Sequence, residues 1–316
     1  MFDITLALDW TPNTNHTGFY VALAEGYYEK AGINLTIHTP DLDNYKLSPA
    51  KRTAEKLATF GVAPSESVIS YHTLSDAHPR LVAVAALLQT DTSAIVTLKD
   101  SRIERPAQLD GKVYASYNAR FEDAIVAQLI RSDGGTGEFE SITPAMLGVP
   151  NTLVDGIADA TWVFMAWEGI QAQRDGINFN AFALRDYDVP YGYTPTLLSH
   201  PDTLEHNAIA TRAFLDATAT GYEKAAQDTE LATRALIDIA QHPTLKDVSF
   251  VQASHDYIAP FYCDKSGQWG RMEAERWERF VQWLLANDIV KTVDGTLIDP
   301  EDLQADSLFT NAYFAD

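Results

Sequence analysis

The sequence predicts an α/β protein of two lobes, each a parallel-rich sheet flanked by helices. Three observations carry this. A chain of 316 residues is too long for one small core and suits two. Strand-like and helix-like segments alternate along it, the pattern of parallel sheets with helical crossovers. Two stretches, residues 89–93 and 182–191, read as crossings that divide two copies of the same strand, polar turn and helix logic. Residues 1–91 with 188–316 are therefore expected to form one lobe, and 92–187 an inserted second lobe.

The first strand is announced by Phe2, Ile4, Leu6 and Leu8 alternating with Asp3, Thr5, Ala7 and Asp9. It runs into the turn-forming residues 9–13, then a helix to about Lys30 that stops at Gly32. A second strand covers 34–38, and a third lies around Phe60-Gly61-Val62. Residues 63–67 read as a loop ending in a helix cap, with the helix over 68–74. The apolar run 81–88 reads as a buried strand and 94–98 as the next. Beyond the first crossing, 113–116 is a strand feeding Tyr117-Asn118 and a helix with Phe121, Ile125 and Leu129 at helical spacing. A later strand, 159–164, delivers Ala166-Trp167-Glu168-Gly169 at its end. The remainder reads as helical, with Trp277, Phe280, Val281, Leu284 and Leu285 as an apolar stripe of core.

Composition narrows the function classes. A formal charge of −21 argues against nucleic acid and anionic membrane surfaces, since phosphate binding needs clustered Lys and Arg. No uninterrupted apolar run approaches the roughly 18 residues of a membrane span, so no direct membrane insertion is expected. The single cysteine, Cys263, leaves no internal disulfide and no multi-thiolate metal site. The eight histidines are scattered, His200 and His206 lack metal-ligand spacing, and no Gly-rich phosphate loop occurs, so neither metal nor cofactor is expected. The chain opens directly on a strand, without a basic and apolar leader or an early lipoprotein cysteine, which as written places it in the cytoplasm. The alternative is a periplasmic or extracellular protein from which a signal has been removed.

Ligands of open parallel sheets bind beyond the C-terminal ends of the strands. Four polar turns fall there: residues 9–13 with Trp10 and Asn13; Ser65, Glu66 and Ser67; Ser116, Tyr117 and Asn118; and Trp167-Glu168. Aromatic faces and carboxylates dominate them, with Arg120 as the basic exception, which suits a planar, amino-bearing or cationic ligand. The residues alone leave other roles open: Trp10 as core filler, Asp9 as a turn pin, Glu168 as a solvated helix-start residue, Tyr187 as packing, Ser65 and Ser67 as caps.

The opening Leu8-Asp9-Trp10-Thr11-Pro12-Asn13-Thr14-Asn15-His16-Thr17-Gly18, followed by Gly26-Tyr27-Tyr28 and Gly32, resembles that of the thiamine-pyrimidine family of periplasmic-binding-protein-like proteins. That family includes bacterial formylaminopyrimidine-binding receptors of ABC importers and fungal synthases that make the thiamine pyrimidine. Weaker matches are Leu98-Lys99-Asp100-Ser101 with Gly111-Lys112, Trp167-Glu168-Gly169, Asp186-Tyr187 with Val189-Pro190, and Gly221-Tyr222. The resemblance implies a type II two-lobed fold and an aminopyrimidine held in the cleft between lobes, with an ABC importer membrane component as a partner. It implies stacking by Trp10 and an aromatic wall from Tyr187 or Tyr191, with Asn13 and Glu168 reading the ring nitrogens. A carboxylate facing an aminopyrimidine accepts from the exocyclic amine and a protonated ring nitrogen together.

Two alternatives remain beside the receptor. The synthase branch consumes a histidine and bound pyridoxal phosphate, and its pattern places a lysine and, four residues on, a histidine after the third strand; here those positions are Ala63 and Ser67, and the later cysteine-rich run is missing. Without that amine the cofactor has no covalent anchor. A receptor for another small ligand, such as a sulfonate, shares the fold but calls for Arg or helix-end amides in its cleft.

Overall fold

The computed structural model describes residues 1–75, 77–144 and 150–315 and divides into two compact units. The first comprises Met1–Asp91, Gly192–Val281 and Lys291–Asp316, and the second Thr92–Tyr191 with Gln282–Val290. Residues 188–191 and 282–290 thus go with the second unit, where the sequence reading placed them in the first lobe. The Gln128 amide donates to the Asn287 side chain, one contact that draws the late segment there.

In the first unit, strands β1 (Phe2–Ala7), β2 (Ile33–His38), β3 (Phe60–Ala63) and β4 (Val82–Ala86) run the same way. The other strand of that sheet comes from far along the chain, so the second unit's strands are numbered first: β5 (Ser93–Leu98), β6 (Val113–Ala115), β7 (Glu140–Ile142), β8 (Ala160–Phe164) and β9 (Phe179–Phe182). With β10 (Thr196–Ser199), the two sheet orders are β2-β1-β3-β10-β4 and β7-β6-β8-β5-β9. Both sheets are mixed, and in each the inverted strand is the one met just after a crossing: β10 is antiparallel to β3 and β4, and β5 to β8 and β9. The return crossing read over 182–191 therefore begins on a strand, β9, and β10 falls in a region read as helical. Four buried residues, Thr-Leu-Leu-Ser, show neither alternation nor length to mark a strand.

The helices are α1 (Thr17–Ala24), α2 (Tyr27–Lys30), α3 (Pro49–Ala54), α4 (Ser65–His72), α5 (Glu122–Ser132), α6 (Ile170–Arg174), α7 (Pro201–His206), α8 (Ala208–Gln227), α9 (Thr229–Ala240), α10 (Val248–Ile258) and α11 (Ala274–Ala286). The single helix expected up to Lys30 is broken because Gly26 adopts a left-handed conformation between α1 and α2. The first-unit core stacks Phe214 of α8 on Phe60 of β3 at 4.6 Å and on Tyr28 of α2 at 5.5 Å between ring centroids. Close approach of α1 and α8 needs glycine on both: a Cβ on Gly18 would lie 2.0 Å from the Tyr222 ring, and one on Gly221 2.2 Å from the Gly18 carbonyl. In the second unit, Ala94, Val96, Leu153, Val163 and Ala172 form a core cluster, and α5 buries Ile125, Val126, Leu129 and Ile130. Among the described residues no helix is long and apolar enough to cross a membrane.

His255 of α10 is wholly buried between the Thr17 and Thr233 hydroxyls, the latter at 2.9 Å from Nδ1. Burial pushes its imidazole down to about 3. The unfolded chain therefore binds a proton that the folded chain refuses between about pH 6.5 and 3, and stability is lost as pH falls through that window. Between pH 7 and 4 this amounts to about 3 kcal/mol. Urea unfolding of the wild type and His255→Gln at both pH values should show the variant losing less stability on acidification, and equal losses would refute this.

Candidate functional site

The C-terminal ends of β1, β2 and β3 lie along one edge of the first sheet, and the turns that follow carry four of the predicted residues. Leaving β1, the chain turns through Asp9 to Asn13 into a short 3-10 turn, Thr14–His16, that leads into α1. His16 is completely buried, and its Nδ1 accepts the Asn13 backbone N–H at 3.3 Å. That fixes the tautomer, so Nε2 donates to Asp9 Oδ1 at 2.7 Å. Asp9 is accordingly the pin of the turn. Asn13, 4% exposed, accepts the Asn15 N–H at 2.9 Å through Oδ1 and donates to the Thr11 carbonyl at 3.1 Å through Nδ2. Its side chain also accepts the His16 N–H in a capping box, so the turn occupies the amide oxygen and one of the two amide hydrogens. The Tyr222 hydroxyl donates to the Asn15 carbonyl at 2.7 Å and closes the turn from behind. Trp10 projects from it half-buried, its ring 5.4 Å from that of Tyr45.

Ser65 and Glu66 begin α4, since the helix starts directly after Pro64 rather than at 68 as the sequence reading had it. Neither Ser65 nor Ser67 is the cap; Pro64 holds that position with no side-chain bond. The Ser65 backbone N–H donates to the Tyr193 carbonyl at 2.9 Å, and its hydroxyl is packed where a Cβ on Gly192 would come within 2.3 Å. Ser65 is thus enclosed in its own unit. Glu66, 7% exposed, stands in the first turn of α4, where the helix dipole favours a carboxylate.

In the second unit, β6 and β8 are parallel neighbours, and their ends bring Tyr117 and Glu168 together. After β8 the chain makes one wide turn of π-helical form, Met165–Gly169, before α6. Such turns interrupt regular hydrogen bonding and recur at functional sites. Glu168 Oε2 accepts the Phe164 N–H at 3.1 Å. Tyr117 keeps 39% of its surface exposed, yet burial, then the Glu168 and Glu122 carboxylates, raise its phenol far above the ordinary range. Trp167 is half-buried beside Glu168.

Glu122, which the sequence reading passed over, organises this turn. Only 2% exposed, it accepts the Tyr114 hydroxyl at 2.7 Å and the Tyr117 N–H at 3.1 Å on Oε1, and the Ala119 N–H at 3.2 Å on Oε2. Burial raises its carboxyl, and these hydrogen bonds pull back against the rise. Asn118 adopts a left-handed conformation, φ 60°, with its N–H donating to Ser116 Oγ at 3.0 Å. An asparagine two residues after a strand was the available signal.

Two further predicted aromatics have ring partners of their own. Tyr191 is buried with its ring 5.3 Å from Trp162 of β8. Tyr187 lies edge-on to Phe182 at 6.2 Å, and burial, then the Asp133 and Asp186 carboxylates, raise its phenol. Asp133 follows the end of α5 and is ion-paired with Arg105 at 2.8 Å, so Tyr187 belongs to the far end of that helix from Tyr117. The exception among the acids and aromatics, Arg120, lies over the Phe121 ring at 5.2 Å. One cavity of about 360 Å³ opens at the opposite edge of the first sheet, lined by Asp3, Lys56, Thr203 and Thr211 among others, and holds none of the predicted residues. Among the described residues no group of three His, Cys, Asp or Glu side chains is arranged to hold a metal ion.

The model of the NMT1/THI5-like family matches residues 13–232, more than two thirds of the chain. The chain belongs to the NMT1/THI5-like family. It is 25% identical over 289 residues to the formylaminopyrimidine-binding protein of Halalkalibacterium halodurans, covering 90% of this chain and 85% of that one. It is 24% identical over 290 residues to a protein of Haemophilus influenzae named for thiamine biosynthesis, covering 91% and 88%. Among solved structures, the alkanesulfonate-binding protein SsuA of Xanthomonas axonopodis pv. citri, bound to MOPS, aligns over 98% of both chains with a TM-score of 0.69 and 11% identity. The fold of this NMT1/THI5-like chain is therefore the periplasmic-binding-protein-like one, with two mixed five-stranded sheets.

Removing the Glu122 carboxylate leaves a buried phenol and two backbone N–H groups unpaired. Glu122→Ala should lose about 3 kcal/mol of unfolding free energy in a denaturant titration. A loss below about 1 kcal/mol would show that the turn holds itself without Glu122.

Proposed function

We propose that this chain is a receptor, not a catalyst, for a small aminopyrimidine of the hydroxymethyl- or formylaminopyrimidine type. The observation that carries the reading is that the Glu168 carboxylate comes near enough to Tyr117, after the ends of adjacent strands, to add to the burial that raises its phenol. The Glu168 carboxylate accepts the Phe164 N–H, and a carboxylate is the group that accepts from an exocyclic amine and a protonated ring nitrogen together. On the first unit's edge, Trp10 carries an indole, Asn13 an amide hydrogen, and Glu66 a further carboxylate. Acids and aromatics of this kind suit a flat, amino-bearing ring and repel an anion. The relative named for binding formylaminopyrimidine supports this ligand class. An ABC importer membrane component is the partner that goes with it, in keeping with the naming of a structural neighbour from Staphylococcus aureus as the ligand-binding component of an ABC-type import system.

Tyr191 with Trp162 and Tyr187 with Phe182 serve this reading as packing, and Ser65 as a buried helix-start residue. The positions where a synthase would need its lysine and histidine are Ala63, which closes β3, and Ser67 in the first turn of α4. Neither side chain forms a Schiff base or supplies an imidazole.

Calorimetric titration with 4-amino-5-hydroxymethyl-2-methylpyrimidine tests the proposal. Glu168→Gln keeps the shape and removes the charge, so affinity should fall about 10- to 100-fold, the worth of one charge-assisted hydrogen bond at roughly 1.5–3 kcal/mol. An unchanged affinity would take Glu168 out of the site.

A further inference from the structure

Tyr45 is the aromatic that stands beside Trp10, and its backbone is held where tyrosine seldom goes. Asn44 and Tyr45 are consecutive left-handed residues, with φ of 56° and 59°. Asparagine tolerates that region, whereas a bulky aromatic is strained in it, so the surroundings must impose it. They do so through four contacts. The Tyr45 N–H donates to the Pro40 carbonyl at 2.8 Å, and the Lys46 N–H to Asp43 Oδ1 at 3.3 Å. Arg52 of α3 pairs with Asp43. Asp41 accepts from His242, which lies 201 residues away, at 3.3 Å. The Thr244 N–H occupies His242 Nδ1, so Nε2 carries the hydrogen that Asp41 receives.

Burial does not repay this strain, because Tyr45 remains 47% exposed. What the conformation achieves is placement. β1 and β2 are paired in register along their whole length, so the turns that follow them start side by side. The two rings stand 5.4 Å apart and 54° from parallel, in tilted contact with one another. A third flat ring joins such a pair most favourably face to edge.

Resting on the receptor reading above, we infer that Tyr45 is a second aromatic wall of the ligand site and a specificity-determining residue for planar heteroaromatic amines. It disfavours ligands without a flat face, because an alkyl chain leaves one wall unmatched.

The test is calorimetry with 4-amino-5-hydroxymethyl-2-methylpyrimidine on the wild type, Tyr45→Ala and Tyr45→Phe, with thermal melts of all three. Tyr45→Ala should weaken binding roughly 3- to 10-fold, the worth of one aromatic contact, without lowering the melting temperature. Tyr45→Phe, which keeps the wall, should bind like the wild type. A wild type that binds while Tyr45→Ala binds equally well overturns the inference alone. So does a Tyr45→Phe protein as weak as Tyr45→Ala, since the hydroxyl and not the ring face would then be at work. A wild type that binds no pyrimidine overturns the receptor reading and this inference with it.

Discussion

A turn that leaves a strand beneath packed helices must pair its own backbone groups, and in the first unit the His16 imidazole meets that demand. Through Nδ1 it takes the Asn13 N–H, and through Nε2 it holds Asp9 at 2.7 Å, so both ends of the turn are tied to one buried ring. With those ends fixed, the turn carries Trp10 outward on a backbone that needs no ligand to shape it. Glu122 meets the same demand in the second unit, gathering the Tyr117 and Ala119 N–H groups and the Tyr114 phenol on one carboxylate. Trp10 and Tyr117, which the proposed function assigns to the ligand, are thus distinct from the groups that hold their turns.

The topology explains why the candidate residues fall at strand ends. In each sheet four strands run together and one, met just after a crossing, runs against them. The four co-directional strands deliver their following turns to one edge, where ligands of parallel sheets bind. Acids in that position carry consequences: Glu168 raises the Tyr117 phenol, and Asp41 adds to the burial that raises Tyr20 and Tyr45. These phenols stay protonated and remain hydrogen-bond donors across the physiological range.

The sequence was legible where local physics decides the structure. Alternation from Phe2 marked β1, and apolar runs marked β3, β4, β5 and β8, all close to their observed bounds. The strands β7, β9 and β10 are three or four residues long and are made strands only by their neighbours, so no periodicity could reveal them. The same division holds at the candidate site. Trp10, Asn13 and Glu168 stood in turns that the pattern of elements placed at sheet edges. Tyr45 sits in a polar stretch that reads as an ordinary loop, and its approach to Trp10 depends on Arg52 and on His242, the latter some two hundred residues away. Tyr187 was assigned by motif position alone, and the Arg105–Asp133 pair beside it, distant in sequence, gave no local signal.

The proposed ligand is a flat aminopyrimidine, selected by acids and aromatic faces on a scaffold whose structural neighbours include a sulfonate binder. Competition on the wild-type protein decides this most directly, with 4-amino-5-hydroxymethyl-2-methylpyrimidine and taurine titrated separately and then against one another in a calorimeter. The pyrimidine should bind and taurine should neither bind nor displace it. Binding of taurine with no heat from the pyrimidine would contradict the account.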